Sequence, residues 1–318
     1  LDVANISLEA SNEVVKASTL PDATTPEGVN GSDGTPKSLE LVVFVAKISP
    51  AKPLELNTVS LDGIAALLGE KMNNMDSELL PAPNLLVSAL DRLAQKIGKE
   101  SLFDFFKKSG FAQKAPLLSL PGERQGQIQN WQKWTPIKFA NISFGQGFLA
   151  TGLEVLRAYN AIANGGNLLP LQIVQHVEHP NGQVEVPKLP KKVRLFSSYT
   201  SSSLRHILRV AVRNGSGRRA QLDDHSVGGK TGTADQPAKG GYSKKKVNTF
   251  ASVFPTSNPK FALVTMLDEP KVNKEFVYHY RDGRNPYKGN WRNTAGWTTV
   301  WVTGQIIEKI GPILATKY

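Results

Sequence analysis

The chain has 318 residues, of which 40% are hydrophobic and 20% charged, and its formal net charge is +11. This length can bury a substantial core as one large domain, or as one domain with a smaller appendage. The absence of cysteine excludes a disulfide framework and a thiolate metal site. The positive charge suits nucleic acid, an anionic membrane surface, an acidic polymer or simply a soluble surface. No nucleic-acid-binding module accompanies it, so we expect no nucleic-acid partner.

The chain shows no run of the roughly 18 apolar residues that a membrane span requires, and no signal-peptide pattern opens it. Leu1 is not a start residue. We therefore expect a processed or trimmed form that meets a membrane only through an anchor absent from this chain.

The first half of the chain divides into a linker, a strand and three helices. Residues 17–38 are rich in Thr, Pro, Gly and Ser and predict a linker, and we leave residues 1–38 without an assigned role. The apolar run 41–46 predicts a buried strand. Helices are predicted from Asn84 to a stop at Gly98, from Ser101 to a stop at Gly110, and from a capping box at Thr151 to Asn164. The third helix should turn an apolar stripe to the core: Leu153, Leu156, Tyr159, Ile162 and Ala163.

The second half predicts a sheet closed by a terminal helix. Residues 172–186 predict a β-hairpin that turns at Pro180-Asn181-Gly182. A helix over 203–213 should bury four apolar side chains, Leu204, Ile207, Leu208 and Ala211. Three strands follow, one through residues 227–234, one over 248–254 and one over 261–267, and a helix over 298–310 ends the chain. Helices, an antiparallel meander and a helix that packs back on it predict an α+β fold.

The run Val227-Gly-Gly-Lys-Thr-Gly-Thr-Ala234 is the most informative stretch. On an extended strand, Thr231 and Thr233 project to one face and Lys230 to the other, and Gly232 lets a ligand backbone lie against the strand. Such a strand edge suits a carboxylate. A phosphate-binding loop is the competing interpretation, but it requires glycine at position 224, which is Asp, and a helix directly after the motif. The phosphate interpretation therefore fails.

Lys230-Thr231-Gly232 resembles the third motif of penicillin-binding proteins and serine β-lactamases, whose set is Ser-x-x-Lys, Ser-x-Asn and Lys-Thr-Gly. From about residue 90 to the end, the flanks resemble class B, division-type penicillin-binding proteins. The matching segments are residues 142–147, 157–166, 213–220, 250–254, 258–270 and 293–298. The resemblance implies an antiparallel sheet flanked by helices, with an all-helical subdomain, and a transpeptidase domain over residues 39–318.

The resemblance also implies a function. A member of this family cross-links D-Ala-D-Ala stem peptides of peptidoglycan through a serine acyl-enzyme, is acylated by β-lactams, and works with division proteins at the periplasmic face of the inner membrane. No metal or organic cofactor is implied. The resemblance makes Lys230 a catalytic residue, with Thr231, Gly232 and Thr233 as substrate-binding residues. Lys230 and the Thr231 and Thr233 hydroxyls would seat the substrate carboxylate and help proton movement, and the Thr233 N–H would be one oxyanion donor.

The nucleophile is identified by its place in the chain. Ser-x-x-Lys places a serine about one helical turn from a lysine amine that can accept its proton. Three matches begin at Ser49, Ser243 and Ser257. In the family layout the last two follow the Lys-Thr-Gly strand and should fall on turns. Ser49 precedes that strand, and Lys52 is followed by Pro53 as in the family, so we predict Ser49 as nucleophile and Lys52 as its base. The alternative is that Ser49 is an ordinary helix cap.

The middle motif is missing. Alignment with the family puts Ser-x-Asn at positions 85–87, where this chain has Leu-Leu-Val, and apolar side chains cannot relay a proton. Either the motif lies elsewhere in the chain, or the chain has diverged or been altered here, or the site is inactive. A second hypothesis is therefore a penicillin-binding-like fold kept as a non-catalytic scaffold of the division machinery. A third is β-lactamase-like hydrolysis, although the flanks resemble synthetic enzymes.

Other polar and aromatic residues carry weaker signals. His176 and His179 could pair on a metal or lie on a solvated strand edge, and His225 could influence binding or have no role. Ser143 should shape a turn. The tryptophans at 131, 134 and 291 should pack or wall a groove, and the arginines at 281, 284 and 292 could meet an anionic glycan or a partner.

Overall fold

The computed structural model describes residues 14–16, 41–47, 83–113, 123–174, 176–238, 241–272, 275, 277–279, 283, 285–288 and 293–317. Residues 14–16, 41–47, 83–89, 237, 288 and 317 are described by their backbone alone. The helices are α1 Pro83–Ile97, α2 Lys99–Lys108, α3 Pro136–Ser143, α4 Gly152–Ala163, α5 Ser198–Arg213 and α6 Thr299–Lys317. The strands are β1 Val14–Lys16, β2 Leu41–Lys47, β3 Asn167–Leu168, β4 Val177–Glu178, β5 Val184–Glu185, β6 Val193–Arg194, β7 Gly228–Ala238, β8 Gly241–Phe254, β9 Phe261–Asp268, β10 Val277–Tyr278 and β11 Tyr287–Lys288. Helices and antiparallel strands occur together, as the α+β prediction requires.

The central feature is a five-stranded antiparallel sheet with the order β1-β2-β9-β8-β7. β7 and β8 form a long hairpin in which Lys230 lies opposite Ala251, Thr231 opposite Phe250 and Thr233 opposite Asn248. β2 confirms the predicted strand over 41–46, and β1 lies within the segment 1–38 that had no assigned role. The strand that carries the Lys-Thr-Gly motif is therefore the last strand of the described sheet.

Each face of the sheet is buried, because alternate residues of β8 and β9 point to opposite sides. On one side Phe250, Phe254 and Leu263 pack with Val300 and Ile307 of α6. On the other side a second cluster joins the sheet to α4: Ala251, Val253, Ala262 and Val264 with Leu156 and Ala163. Both clusters include side chains of no exposed area. The strands next to the motif strand are thus buried on both faces.

The chain divides into two compact units. One consists of residues 51–112 and 126–149, and its described elements are α1, α2, α3 and a 3₁₀ turn at Trp131–Lys133. Its core holds Ala94, Trp134, Phe139 and Ile142, with Trp131 packed against them. The prediction that Trp131 and Trp134 pack is confirmed. The other unit holds the remaining residues and includes the five-stranded sheet.

The capping box of α4 is formed as predicted. The Thr151 hydroxyl accepts a hydrogen bond from the Glu154 N–H (3.2 Å), and the Glu154 carboxylate accepts one from the Thr151 N–H (2.8 Å). Two N–H groups that the helix cannot satisfy internally are thereby paired.

We expect Thr151→Ala to lower the free energy of unfolding by about 1 kcal/mol, because it removes one half of this cap. Denaturant unfolding measures the change. Thr151→Ser retains the hydroxyl and is the matched control, which should stay within a few tenths of a kcal/mol of the parent. Equal losses in both variants would show that the hydroxyl is not what stabilises this helix end.

Several predicted boundaries and one predicted face were wrong. α5 begins at Ser198, capped by Ser197, and not at Ser203. Its buried residues are Ser201, Leu208 and Val212, whereas Ile207 is 51% exposed. The physical reason is that small residues make the closest contact: the Ser201 hydroxyl donates to the Ile162 carbonyl oxygen at 2.5 Å. The buried face of α5 therefore includes Ser201 and Val212, and it leaves out Ile207, which the apolar pattern had placed inward.

Other elements are longer than predicted, whereas the predicted hairpin forms with strands of only two residues each. α2 begins at Lys99, β8 begins at Gly241 and α6 continues through Pro312 to Lys317. β4 and β5 form the predicted hairpin around Gly182, whose φ of 79° suits glycine. Within the described ranges, no helix is both long enough and apolar enough to cross a membrane.

Candidate functional site

The outer edge of β7 presents the backbone of Thr231 and Thr233. The Glu269 N–H donates to the Lys246 carbonyl oxygen (2.8 Å), which extends the register of β8 and β9 by one pair. In an antiparallel sheet, alternate residues of a strand bond to alternate neighbours. Even-numbered residues of β8 therefore bond to β9, and odd-numbered ones bond to Lys230 and Gly232 of β7. The N–H and C=O groups of Thr231 and Thr233 consequently point to the open edge.

Two hydroxyl groups lie on the same face of this strand, and each has a partner far away in the sequence. The Thr231 hydroxyl is 2.8 Å from the Ser216 hydroxyl, which follows α5. The Thr233 hydroxyl accepts a hydrogen bond from the Ala295 N–H at 3.0 Å, in the segment that precedes α6. Thr233 is exposed and Thr231 is half-buried, so both hydroxyls are held in place while a ligand can reach them.

Lys230 lies on the opposite face of β7, together with Gly232. Its Nζ donates to the Thr231 carbonyl oxygen at 2.9 Å, so the ammonium reaches round to the open edge. The side chain is exposed to solvent over part of its length, but partial burial of the ammonium lowers the pKa of Lys230 below the ordinary 10.5. A cation that is incompletely solvated is well suited to bind a carboxylate.

The glycines in and before the motif differ in whether packing leaves room for a side chain. A Cβ on Gly228 would lie 2.6 Å from the Thr256 Cγ2, and one on Gly229 would lie 2.5 Å from the Phe250 Cζ. A Cβ on Gly232 would be 3.7 Å from the Thr249 Cβ, an ordinary contact distance. Packing therefore requires the first two glycines. Gly232 has room for a methyl group, so its lack of a side chain points to ligand access.

The segment that follows β11 is held against the sheet by a buried polar network. The Asn248 amide, which has no exposed area, donates to the Asn293 carbonyl oxygen (3.1 Å) and to the Thr298 hydroxyl (2.8 Å). Thr298 donates in turn to the Thr294 carbonyl oxygen (3.1 Å). Ala295, whose N–H reaches Thr233, lies between these attachment points.

Arg219 also contacts the 293–298 segment. Its guanidinium donates to the Gly296 carbonyl oxygen at 3.1 Å and lies 3.3 Å from the centroid of the Trp297 ring. Tyr278 and Tyr287 also contact Trp297, with ring centroids 6.4 and 4.9 Å away. A cation and aromatic rings thus pack around Trp297. The neighbouring Gly296 lies against the Ser216 backbone, since a Cβ on Gly296 would be 3.0 Å from the Ser216 carbonyl oxygen.

The structure places Lys230, predicted as catalytic, beside the three predicted substrate-binding residues, and it leaves the predicted nucleophile untested. Lys230, Thr231, Gly232 and Thr233 lie side by side on β7. Ser49 and Lys52 lie outside the described residues. The backbone of residues 85–87, the position of the missing Ser-x-Asn motif, is in the first turn of α1, and the side chains there are outside the described part of the chain.

The remaining Ser-x-x-Lys matches fall on elements unsuited to a helical pair. Ser243 and Lys246 lie on β8, not on the predicted turn, and Lys246 pairs with Asp235 at 2.7 Å. Residues three apart on a strand point to opposite faces, so this serine and lysine cannot cooperate. Ser257 lies on the turn between β8 and β9, as predicted.

The histidines have local partners. His176 is 3.1 Å from Glu178 and His179 is 3.2 Å from Glu185, both on the exposed hairpin. Among the residues that the structure describes, no three side chains of metal-binding type come together. The His225 ring packs against Gly311 of α6, where a Cβ would come within 2.4 Å of its Nε2.

The other weak candidates are either structural or outside the described residues. Ser143 ends α3 and donates to the Ala140 carbonyl oxygen at 2.6 Å, a local role as predicted. Trp291, Arg281, Arg284 and Arg292 lie outside the described part.

Three contributors to the site were not found from the sequence: Ser216, Asn248 and the Ala295 N–H. Ser216 carried a signal, since it stands between two glycines in a segment that resembles the family. Asn248 carried a second one, since it is a polar residue at the start of an apolar strand. The Ala295 N–H carried no signal, because every residue except proline has a backbone N–H and the sequence does not show which one reaches the site.

Comparison with known proteins gives matches over the same region. The family model described as penicillin binding protein transpeptidase domain matches residues 87–284, more than half of the chain. Penicillin-binding protein PbpB of Mycolicibacterium smegmatis is 32% identical over 189 residues, which cover 56% of this chain and 29% of that protein. The probable peptidoglycan D,D-transpeptidase FtsI of Caulobacter vibrioides is 31% identical over 241 residues, 71% of this chain and 36% of that protein. The chain thus spans about a third of the length of these relatives.

Solved structures agree in fold. Penicillin binding protein 3 of Mycobacterium tuberculosis, in complex with aztreonam, is 28% identical with a TM-score of 0.58, and the match covers 71% of this chain and 49% of that one. The same protein was also solved with ampicillin. Both complexes place a β-lactam on a protein of similar fold.

Proposed function

This chain belongs to the penicillin-binding protein transpeptidase domain family, and we propose that it is the catalytic part of a peptidoglycan D,D-transpeptidase. It would cross-link stem peptides in septal cell-wall synthesis through a serine acyl-enzyme, and β-lactams would inhibit it by acylating the same serine. The observation that carries the proposal is the open edge of β7, where Lys230, Thr231 and Thr233 converge with backbone donors.

The chemistry follows from what this edge offers. The terminal carboxylate of a D-Ala-D-Ala peptide would accept hydrogen bonds from the Thr231 and Thr233 hydroxyls and lie near the Lys230 ammonium. The scissile carbonyl would then lie along the strand, where the Thr233 N–H can stabilise the oxyanion of the tetrahedral intermediate. A β-lactam offers the same carboxylate and carbonyl, which is why both ligands suit one site.

The acyl transfer has two steps. The Ser49 hydroxyl loses its proton to the Lys52 amine and attacks the penultimate D-Ala carbonyl, and the terminal D-Ala leaves as a protonated amine. An amino group from a neighbouring stem peptide then attacks the ester, which restores the serine and forms the cross-link. We propose both residues for these roles on their place before the Lys-Thr-Gly motif and on Pro53 after Lys52.

The wider assignments are also proposals. We infer that residues 39–318 form the transpeptidase domain and that the protein works in the bacterial envelope, at the periplasmic face of the inner membrane, with other division proteins. The relatives' names, a penicillin-binding protein and a probable peptidoglycan D,D-transpeptidase, support the cell-wall role. The division role is inferred from the resemblance of residues 293–298 to division-type members. The reaction requires no metal or organic cofactor.

A second candidate function is a non-catalytic scaffold of the division machinery. One observation favours it: residues 85–87 are Leu-Leu-Val where the family has Ser-x-Asn. A site without that hydroxyl and amide would lack one proton relay, although the β7 edge could still bind a carboxylate.

We expect the folded protein to form a stable adduct with a fluorescent penicillin. Intact mass should increase by one penicillin, and peptide mapping should place it on Ser49. Ser49→Ala should lose the adduct, whereas Ser243→Ala, the matched control on β8, should retain it.

The other outcomes separate the alternatives. An adduct on a different serine would support the enzymatic function and show that Ser49 is not the nucleophile. No adduct on a protein shown to be folded would favour the scaffold, and rapid turnover of a chromogenic cephalosporin would indicate a β-lactamase.

A further inference from the structure

We propose that Asn248 is a positioning residue, which acts through the 293–298 segment to aim the Thr233 hydroxyl at the carboxylate of a bound ligand. The inference rests on the proposed function, because it concerns the same carboxylate site. It adds a specific residue on a neighbouring strand, with no ligand contact of its own.

The first step is the placement of the amide. Asn248 lies directly opposite Thr233 across the β7–β8 hairpin, so both side chains project to the same face of the sheet. Asn248 is fully buried and Thr298 is 3% exposed. Two donated hydrogen bonds, to the Asn293 carbonyl oxygen and the Thr298 hydroxyl, fix the orientation of the amide, since a flipped amide would turn its oxygen towards the Asn293 carbonyl oxygen.

The second step is the direction of the hydrogen bonds. The Thr298 hydroxyl accepts from Asn248 and gives its proton to the Thr294 carbonyl oxygen. Asn248 therefore holds Asn293 directly, and it holds Thr294 through the Thr298 hydroxyl. Both residues stand immediately before Ala295. The Ala295 N–H is thereby presented to the Thr233 hydroxyl at 3.0 Å.

The third step concerns the proton of Thr233. A hydroxyl has one proton and two acceptor positions. With the Ala295 N–H bound to an acceptor position, the Thr233 proton is directed away from that segment, and Thr233 is exposed. A carboxylate at the open edge is an acceptor of the right charge for it. Without the Ala295 donor, the hydroxyl could rotate and give its proton elsewhere.

The remaining polar atom of Asn248 argues against a purely structural role. Its Oδ1 is buried and has no hydrogen-bond partner in the part of the chain that the structure describes. A buried acceptor left unpaired is a desolvation cost that an apolar residue would avoid. The amide is therefore better explained by what its NH₂ group holds than by core stability.

The test measures acylation rates with benzylpenicillin and with its methyl ester, which lacks the carboxylate charge. We expect Asn248→Asp, which replaces the donor by an acceptor of the same shape, to slow acylation by the free acid on the order of 10-fold. The rate with the ester should hardly change, so the preference for the carboxylate should shrink. In a Thr233→Val background, where the hydroxyl is absent, the Asn248 substitution should have no further effect on that preference.

A second pair of variants guards against misfolding. Thr298→Val removes the hydroxyl link and should reproduce the loss of carboxylate preference, while Thr298→Ser retains the hydroxyl and should restore it. A loss of equal size with acid and ester would show a structural role and overturn the inference, as would an unchanged preference in a folded Asn248→Asp or Thr298→Val variant. If neither penicillin acylates the folded parent, the proposed function itself fails and this inference fails with it.

Discussion

Lys230→Ala is expected to slow acylation by a carboxylate-bearing β-lactam by about 10²–10⁴-fold, the range typical of a side chain that takes part in proton transfer. The family resemblance gives Lys230 a part in proton movement. Lys230 is also the cation of the β7 edge, held there by its hydrogen bond to the Thr231 carbonyl oxygen. The variant should remain folded, because partial burial disfavours the charged amine and its removal takes away that desolvation penalty. The measurement is the second-order acylation rate, with thermal unfolding to show that the variant is folded.

Lys245→Ala is the matched control for this prediction. Lys245 lies on the same hairpin, but its ammonium is exposed and paired with Glu269 at 2.7 Å. Its removal should leave acylation unchanged. If Lys230→Ala reacts as fast as the parent and binds penicillin as tightly, then Lys230 does not contribute to a carboxylate site on β7, and our assignment of that site is wrong.

The pH profile gives this prediction a second readout. Burial lowers the pKa of Lys230 below 10.5, so the ammonium loses its proton at a lower pH than an ordinary lysine. Affinity for a carboxylate ligand should therefore be full well below that pKa and fall as the pH rises through it. Lys230→Arg keeps its charge throughout this range, so its carboxylate affinity should not fall over the same pH interval.

The motif strand could be predicted from the sequence because its information is local. Alternation along a strand places Thr231 and Thr233 on one face whatever the rest of the chain does. Their partners could not be predicted in the same way. Ser216 is 15 positions from Thr231 and Ala295 is 62 positions from Thr233. Such contacts depend on how α5 and the segment before α6 return to the sheet.

The helices show a similar division between local signals and tertiary packing. The capping box at Thr151 was predicted because its two hydrogen bonds lie within four residues. The buried face of α5 does not follow its apolar residues, because Ser201 makes the close contact whereas Ile207 faces solvent. Side-chain identity alone does not show which side of a helix a neighbouring strand approaches.

Gly229→Ala should lower stability and Gly232→Ala should lower the acylation rate, although the two glycines are only three positions apart on one strand. A Cβ on Gly229 would lie 2.5 Å from the Phe250 Cζ and 2.7 Å from the Ala251 carbonyl oxygen. Phe250 has no exposed area, and the carbonyl belongs to the paired strand, so neither can yield without disturbing the core. We expect Gly229→Ala to lower the free energy of unfolding by about 1–3 kcal/mol, and its Tm by several degrees.

Gly232→Ala should leave stability nearly unchanged and slow acylation. Its Cβ has ordinary van der Waals room beside Thr249, and Gly232 is exposed. A methyl group there would meet a ligand backbone that lies along the strand, which a bare glycine admits. Thermal unfolding and penicillin acylation of both variants give the comparison. A Gly232→Ala protein that is stable and acylated at the parent rate would mean that ligands do not lie against this part of β7, whereas a stable Gly229→Ala protein would mean that the Phe250 ring can move aside.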